Sequence, residues 1–249
     1  MRYRFAGVSF INSLPFFCGE LPCDFDLHLS YPSALNELVK QSKSDVSMIS
    51  RWIYPMCESE YAVLPDFCIG GDGEIMSIKL FSKFDISEID KGSIFITSQT
   101  GTSSLAFRKI CLEKYAIDIF ALKRAPLESA DSVILIGDNA MLFDSTAYKY
   151  SYDLGTLWKD FAKCKMLYAV FVIRRNLFDC IAEKVSTYLD SSLAQFSKNP
   201  DCVYAKAMEL TGGKLPLETI KTYYSRLIFK MDSNDFRRSF NFVKDNGNI

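Results

Sequence analysis

The sequence predicts an α/β protein built as two lobes. Two observations lead there. Short apolar runs alternate with helical patterns through the first two thirds of the chain, and the last third changes to helical patterning alone. Strand–helix alternation of this kind gives mostly parallel sheets covered by helices, because parallel neighbours need a crossover connection and a helix usually supplies it. A length of 249 residues suits one large domain or two modest lobes, each able to bury a core.

The runs at 3–8, 25–29, 46–49, 75–81, 94–97, 133–136 and 167–173 read as strands. Between them, 34–40 carries Leu35, Leu38 and Val39 on one face, and 105–115 repeats apolar residues at helical spacing. From 177 to 242 the pattern is helical, broken at Asn199-Pro200, Gly212-Gly213 and Asp232-Ser233. No repeat, low-complexity tract or linker marks a boundary. The expected division is a first lobe of residues 1–82 plus 174–249, with the C-terminal helices packed on it, and a second lobe of residues 83–173.

Composition narrows the function. Apolar residues make up 49% and charged residues 24%, ordinary for a soluble globular protein. The net charge of -1 supplies no basic field, so neither nucleic acid nor an anionic membrane is an expected partner. The cysteines (Cys18, Cys23, Cys57, Cys68, Cys111, Cys164, Cys180 and Cys202) are scattered without a C-x-x-C pair, and His28 is the only histidine. Metal-ligand spacing is therefore absent, and no metal is expected.

Arg2 and Arg4 precede an apolar run over 5–17 that imitates a secretory leader. Asn12 and Pro15 interrupt that run, and bulky Phe17 stands where cleavage needs a small residue. A cytoplasmic protein with reduced thiols is expected. No other apolar stretch approaches the ~20 residues of a membrane span.

Four segments carry chemistry. In Gly7-Val8-Ser9-Phe10-Ile11-Asn12-Ser13-Leu14-Pro15 a predicted strand opens into a helix. Asn12 or Ser13 is placed as N-cap and Pro15 near the first turn. The unpaired N–H groups of such a turn suit a carboxylate, or serve capping alone. Thr97-Ser98-Gln99-Thr100-Gly101-Thr102-Ser103-Ser104 lies between a strand and a helix. One cap needs one hydroxyl, so the surplus favours an anion-binding loop, with Gly101 admitting a ligand close to the backbone. It lacks the spacing and lysine of a Walker loop.

Ser77 and Lys79 share one face of the strand at 75–81, a pattern that edge-strand polarity explains equally well; Gly70 to Gly73, just upstream, reads as a turn. Asp138 follows the strand at 133–136, where it either reaches into a cleft at the strand's carboxyl end or caps a helix. There is no G-x-S-x-G elbow and no Cys/His pair. Chemistry here would rest on positioning and electrostatics.

In order along the chain, these segments resemble the menaquinone-biosynthesis family that contains chorismate dehydratase and its sister, dihydroxynaphthoate synthase. The stretches that carry the resemblance are Val8 to Pro15, Tyr31-Pro32-Ser33-Ala34-Leu35-Asn36 and Ser44-Asp45-Val46-Ser47-Met48-Ile49-Ser50. The Ser77 strand, the Ser/Thr loop, Ile136-Gly137-Asp138, Asp153-Leu154-Gly155-Thr156-Leu157-Trp158 and Tyr223-Tyr224-Ser225-Arg226-Leu227 continue the series. The resemblance implies a fold like the type II periplasmic binding proteins, with two α/β lobes and an interlobe cleft.

It also implies a cofactor-free hydro-lyase acting on a small dicarboxylate: the dehydratase member converts chorismate to 3-[(1-carboxyvinyl)oxy]benzoate. On that basis Ser9, Asn12 and Ser13 serve one carboxylate, and Ser98, Thr100, Gly101, Thr102 and Ser103 the other. Ser77 lines the wall, while Asn12 and Asp138 are the catalytic candidates, Asp138 as base. The sister synthase is expected to use a histidine in the second lobe, and the lone His28 falls in the first. Cys164-Lys165-Met166-Leu167-Tyr168 departs from the family's Thr-Gly-Leu-Pro-Phe, and the Ser/Thr loop carries an extra Gly101. The competing reading is a carboxylate-binding protein without catalysis on the same scaffold.

Overall fold

The computed structural model describes residues 2–100 and 103–245. Strands β1 (Tyr3–Val8), β2 (Phe25–Ser30), β3 (Val46–Ser50), β4 (Tyr61–Gly71), β9 (Met166–Arg174) and β10 (Leu227–Lys230) make a six-stranded sheet ordered β10-β4-β9-β3-β1-β2. Strands β5 (Ile78–Ser82), β6 (Ile94–Ile96), β7 (Ser132–Ile136) and β8 (Tyr150–Asp153) make a four-stranded sheet ordered β6-β7-β5-β8. Two sheets with helices on their faces give the two-lobed, periplasmic-binding-protein-like α/β fold that the sequence predicts.

Four expectations need correction. The sheets are not mostly parallel: β1 pairs in parallel with β2 and β3, and β6 with β7, while the pairings of β9, β4, β10, β5 and β8 are antiparallel. The strands that carry the chain between sheets cause this, since β9 returns against β3 and β4 rather than through a crossover helix. For the same reason a division at 82 and 173 would cut β5 and β9 out of their sheets, because β5 belongs to the small sheet and β9 to the large one. Apolar runs fix that these strands are buried, not which sheet takes them. Lastly, Gly70 and Gly71 end β4 rather than forming a turn, and the C-terminal third contains β10.

Strand β4 escaped the sequence pattern because Pro65 and Asp66 interrupt it. Asp66 has φ +72° at a register shift between Leu64 and Cys68, where the chain tolerates a proline inside a sheet.

Helices α5 (Phe178–Lys198), α6 (Asp201–Leu210) and α7 (Leu217–Arg226) cover one face of the large sheet, packing Ile181, Val185, Leu189, Val203 and Ile220 against Phe5, Leu64 and Phe171. The opposite face holds Val39 of α1 (Pro32–Lys40) and Phe236 of α8 (Ser233–Asp245) against Ile49, Cys68 and Val170. In the small lobe, α2 (Ser103–Tyr115) and α4 (Leu154–Ala162) bury Phe107, Ile110, Leu154 and Trp158 beside Leu80 and Ile134.

The leader-like run is core. Phe16 is 0% exposed, with its ring 4.9 Å from that of Phe171, and Phe5 meets Phe17, Phe25, Phe171 and Tyr188 edge-on. All eight cysteines are free thiols. Among the described residues, no helix is long and apolar enough to cross a membrane.

Candidate active site

A cavity of about 950 Å³, counting its open mouth, lies between the two sheets. Its walls are the carboxyl ends of strands and the turns that follow them, the place where open α/β sheets take ligands. The large lobe contributes Val8, Asn12, Met48, Ser50, Ile69, Tyr168 and Tyr223, with Ser33 and Asn36 from the first turns of α1. The small lobe contributes Ser77, Ile78, Ser98, Gln99, Thr100, Ser103 and Gly137. A second cavity of about 770 Å³ adjoins it through Phe10, Gln99 and Ile136, and is bordered by Ser9, Tyr31, Asp138 and Asn139.

Of the residues the sequence singles out, Asn12, Ser77, Ser98, Thr100 and Ser103 come together on the main cavity, and Ser9 and Asp138 on the adjoining one. Gly101 and Thr102 lie outside the described residues. Ser13 borders neither cavity. Its hydroxyl is fully buried and donates to the Val8 carbonyl at 2.6 Å and the Phe10 carbonyl at 2.9 Å. The expected cap is therefore reversed: Ser13 ties down carbonyls instead of accepting from N–H groups. The segment Ile11–Phe17 is a 3-10 helix preceded by Phe10, with no side-chain cap, because Pro15 disfavours a regular α-helix there.

The Ser/Thr loop does cap its helix. Thr100 Oγ1 accepts from Ser104 N at 3.1 Å, and Ser104 Oγ donates to the Thr100 carbonyl at 2.9 Å. Thr97 Oγ1 holds Gln99 N at 3.4 Å. With three hydroxyls so used, Ser98 and Ser103 remain, among the described residues, at the α2 end of the cavity. At the α1 end stand Ser33 and Asn36, which local sequence reasoning did not assign. The quoted stretch from Tyr31 to Asn36 was the available signal. Two helix N-termini, of α1 and α2, thus flank one cavity, each with the partial positive charge that favours an anion.

Among the described lining residues of the main cavity none is charged. The polarity comes from hydroxyls and amides, and some lack partners. Asn12 Oδ1, Asn36 Oδ1 and Tyr168 Oη on the main cavity, with Asp138 Oδ1 on its neighbour, are buried without a hydrogen bond. Each such group costs about 1–3 kcal/mol if left unmade. Burial raises the Asp138 carboxyl above its ordinary pKa and also keeps the Tyr168 and Tyr223 phenols protonated. Tyr223 Oη donates to Ser77 Oγ at 3.1 Å.

Asp138 does not cap α3 (Asp138–Leu142); the cap position is Gly137, at φ +63° and ψ −146°. An added Cβ there would meet nothing within 4 Å, so only the backbone demands glycine. Gly137→Ala is expected to lower unfolding free energy by about 1–3 kcal/mol in denaturant titration; an unchanged midpoint would show the strain is relieved elsewhere.

Ser77 sits on the segment that carries the chain into the small sheet. Asp153 pins that segment: its carboxylate accepts from Ile75 N at 3.1 Å and Met76 N at 2.8 Å while capping α4 through Gly155 N at 2.9 Å. Met76 takes φ +69°, and the Gly137 N–H reaches the Ser77 carbonyl at 2.7 Å. Burial raises the Asp153 pKa, and those N–H groups oppose the rise. Among the described residues no three His, Cys, Asp or Glu side chains gather to hold a metal ion.

Comparison with known proteins agrees with this architecture. A crystal structure of a protein from Archaeoglobus fulgidus superposes with a TM-score of 0.78 at 19% identity, covering 100% of this chain and 98% of the other. An alkanesulfonate-binding protein from Xanthomonas axonopodis pv. citri, bound to MOPS, gives 0.64 at 8% identity, covering 99% and 93%. A chorismate dehydratase from Thermus thermophilus is 23% identical over 193 residues, 67% of this chain and 70% of the relative. The sequence pattern of a family described as menaquinone biosynthesis matches residues 3–242. The chain belongs to the menaquinone-biosynthesis family.

Proposed function

We propose that the protein is a chorismate dehydratase acting in the cytoplasm, converting chorismate to 3-[(1-carboxyvinyl)oxy]benzoate and water. The observation that carries this reading is a cavity flanked by two helix N-termini and bordered by buried polar atoms that lack partners within the protein. A ligand with a carboxylate at each end and a hydroxyl between them would complete that set. The similarity to the Thermus thermophilus enzyme supports the choice of chorismate.

In this reading one carboxylate lies at the α2 end, held by Ser98, Ser103 and the loop backbone, with Gly101 and Thr102 in the same loop. The other lies toward Asn12 and the first turn of α1, with Ser9 at the rim; Ser13 stays structural. Among the described residues no cation offsets the ligand's charge at the cavity wall, so hydrogen bonds and helix ends carry the recognition. The ring loses a proton and its hydroxyl, the hydroxyl leaving as water with that proton. Aromatisation makes the step strongly downhill, so modest proton-transfer help suffices. The Asn12 amide orients the ring hydroxyl, and Asp138 is the protein's candidate for taking the proton.

Incubation with chorismate followed by mass analysis tests the reading. The expected result is a product lighter by one water with an aromatic absorbance. Chorismate that raises the melting temperature but stays unchanged would instead favour a binding protein. No shift and no product would exclude chorismate.

A further inference from the structure

We propose that Tyr223 is a positioning residue that fixes the direction of the Ser77 hydroxyl, so that Ser77 presents its proton to an anionic or ether oxygen of the ligand. This rests on the substrate reading above. Tyr223 comes from α7, is 1% exposed, and donates to Ser77 Oγ across 146 positions of sequence. A serine hydroxyl has one proton and two lone pairs. With a lone pair taken by Tyr223, the proton is left to point elsewhere, and no group among the described residues accepts it. The cavity is what Ser77 borders.

The reverse arrangement would use the Ser77 proton on Tyr223 and turn lone pairs toward a carboxylate, which they repel. Burial makes the reverse costly, because the Tyr223 phenol keeps its own proton and needs an acceptor. The neighbouring Asp138 charge strengthens that preference, while the Asn12 side chain lies on the same hydroxyl and opposes it. The Ser77 main chain is also fixed, its N–H on the Ile75 carbonyl at 2.8 Å and its carbonyl on Gly137 N at 2.7 Å. Only the hydroxyl torsion is free, and Tyr223 sets it.

The test compares wild type, Tyr223→Phe, Ser77→Ala and the double variant in steady-state chorismate dehydration. Tyr223→Phe keeps ring and volume, and Ser77→Ala removes a single hydroxyl, so all four are expected to fold. Each single variant should raise KM about 10-fold with a smaller change in kcat, the loss of one hydrogen bond to a charged group. The double variant should be no worse than Ser77→Ala alone. A wild-type KM in Tyr223→Phe, or single effects that multiply in the double variant, would overturn the inference. A wild type inert toward chorismate would sink the substrate reading instead. The same four proteins would then be compared by calorimetry with isophthalate, an aromatic dicarboxylate, under the same two criteria, and no isophthalate binding to wild type would overturn both.

Discussion

Asn12→Ala is expected to cut chorismate turnover by about 10²- to 10³-fold while leaving the melting temperature near that of wild type. The amide borders the main cavity, half-buried, with Oδ1 free of any protein partner. In the proposed reaction, removing it takes away an orienting group at the reacting centre and also one buried acceptor that no protein group satisfies. Stability should therefore hold or rise slightly as activity falls. The neighbouring turn survives because its own ties are the Ser13 hydroxyl and the Tyr224 phenol, which donates to the Ile11 carbonyl at 2.7 Å. Circular dichroism, thermal melts and the mass assay check this together. Full turnover in the variant would remove Asn12 from the mechanism.

Asp138→Asn separates chemistry from stability by pH. Burial holds the Asp138 carboxyl above its ordinary value. Between the unfolded pKa of about 3.9 and the raised folded value, the native protein binds a proton that the unfolded chain releases. Native proton binding thus exceeds unfolded, and unfolding free energy falls as pH rises through that window. Above it, the full cost of a charged, half-buried carboxylate is present. The asparagine variant escapes that cost. It should melt above wild type at neutral pH and level with it below the unfolded pKa. A carboxylate with a raised pKa is also a stronger base, so loss of turnover by about 10²- to 10⁴-fold is expected at neutral pH. Retained turnover would leave a carboxylate of the substrate as the proton acceptor.

The candidate site was legible where function is written in local turns. Asn12, Thr100, Ser103 and Asp138 each follow a strand by a few residues, and that pattern alone puts them at the open end of a sheet. Ser13 shows the limit of such reasoning. A serine after a strand looks the same whether it accepts from N–H groups or, as here, donates to Val8 and Phe10. Tyr223 could not be found locally, because its partner Ser77 lies in another lobe's segment. The same blindness moved the lobe boundaries: the apolar runs of β5 and β9 announce burial, while the sheet each joins depends on partners far along the chain. Strand β4 was hidden by Pro65 and Asp66, residues that signal a break and make a bulge instead.

One wall of the cavity is Tyr223, from a helix that the ribosome makes late. Tyr224 anchors to Ile11 across 213 positions, and Tyr223 reaches back to Ser77. As the chain is synthesised, the strands of the small sheet and the turns at the cavity's two helix N-termini are made before α7 has been added. A nascent or prematurely terminated product ending before α7 therefore carries the donors proposed for a carboxylate without the Tyr223 wall. In the proposed function, ligand competence arrives as one of the last events of chain growth.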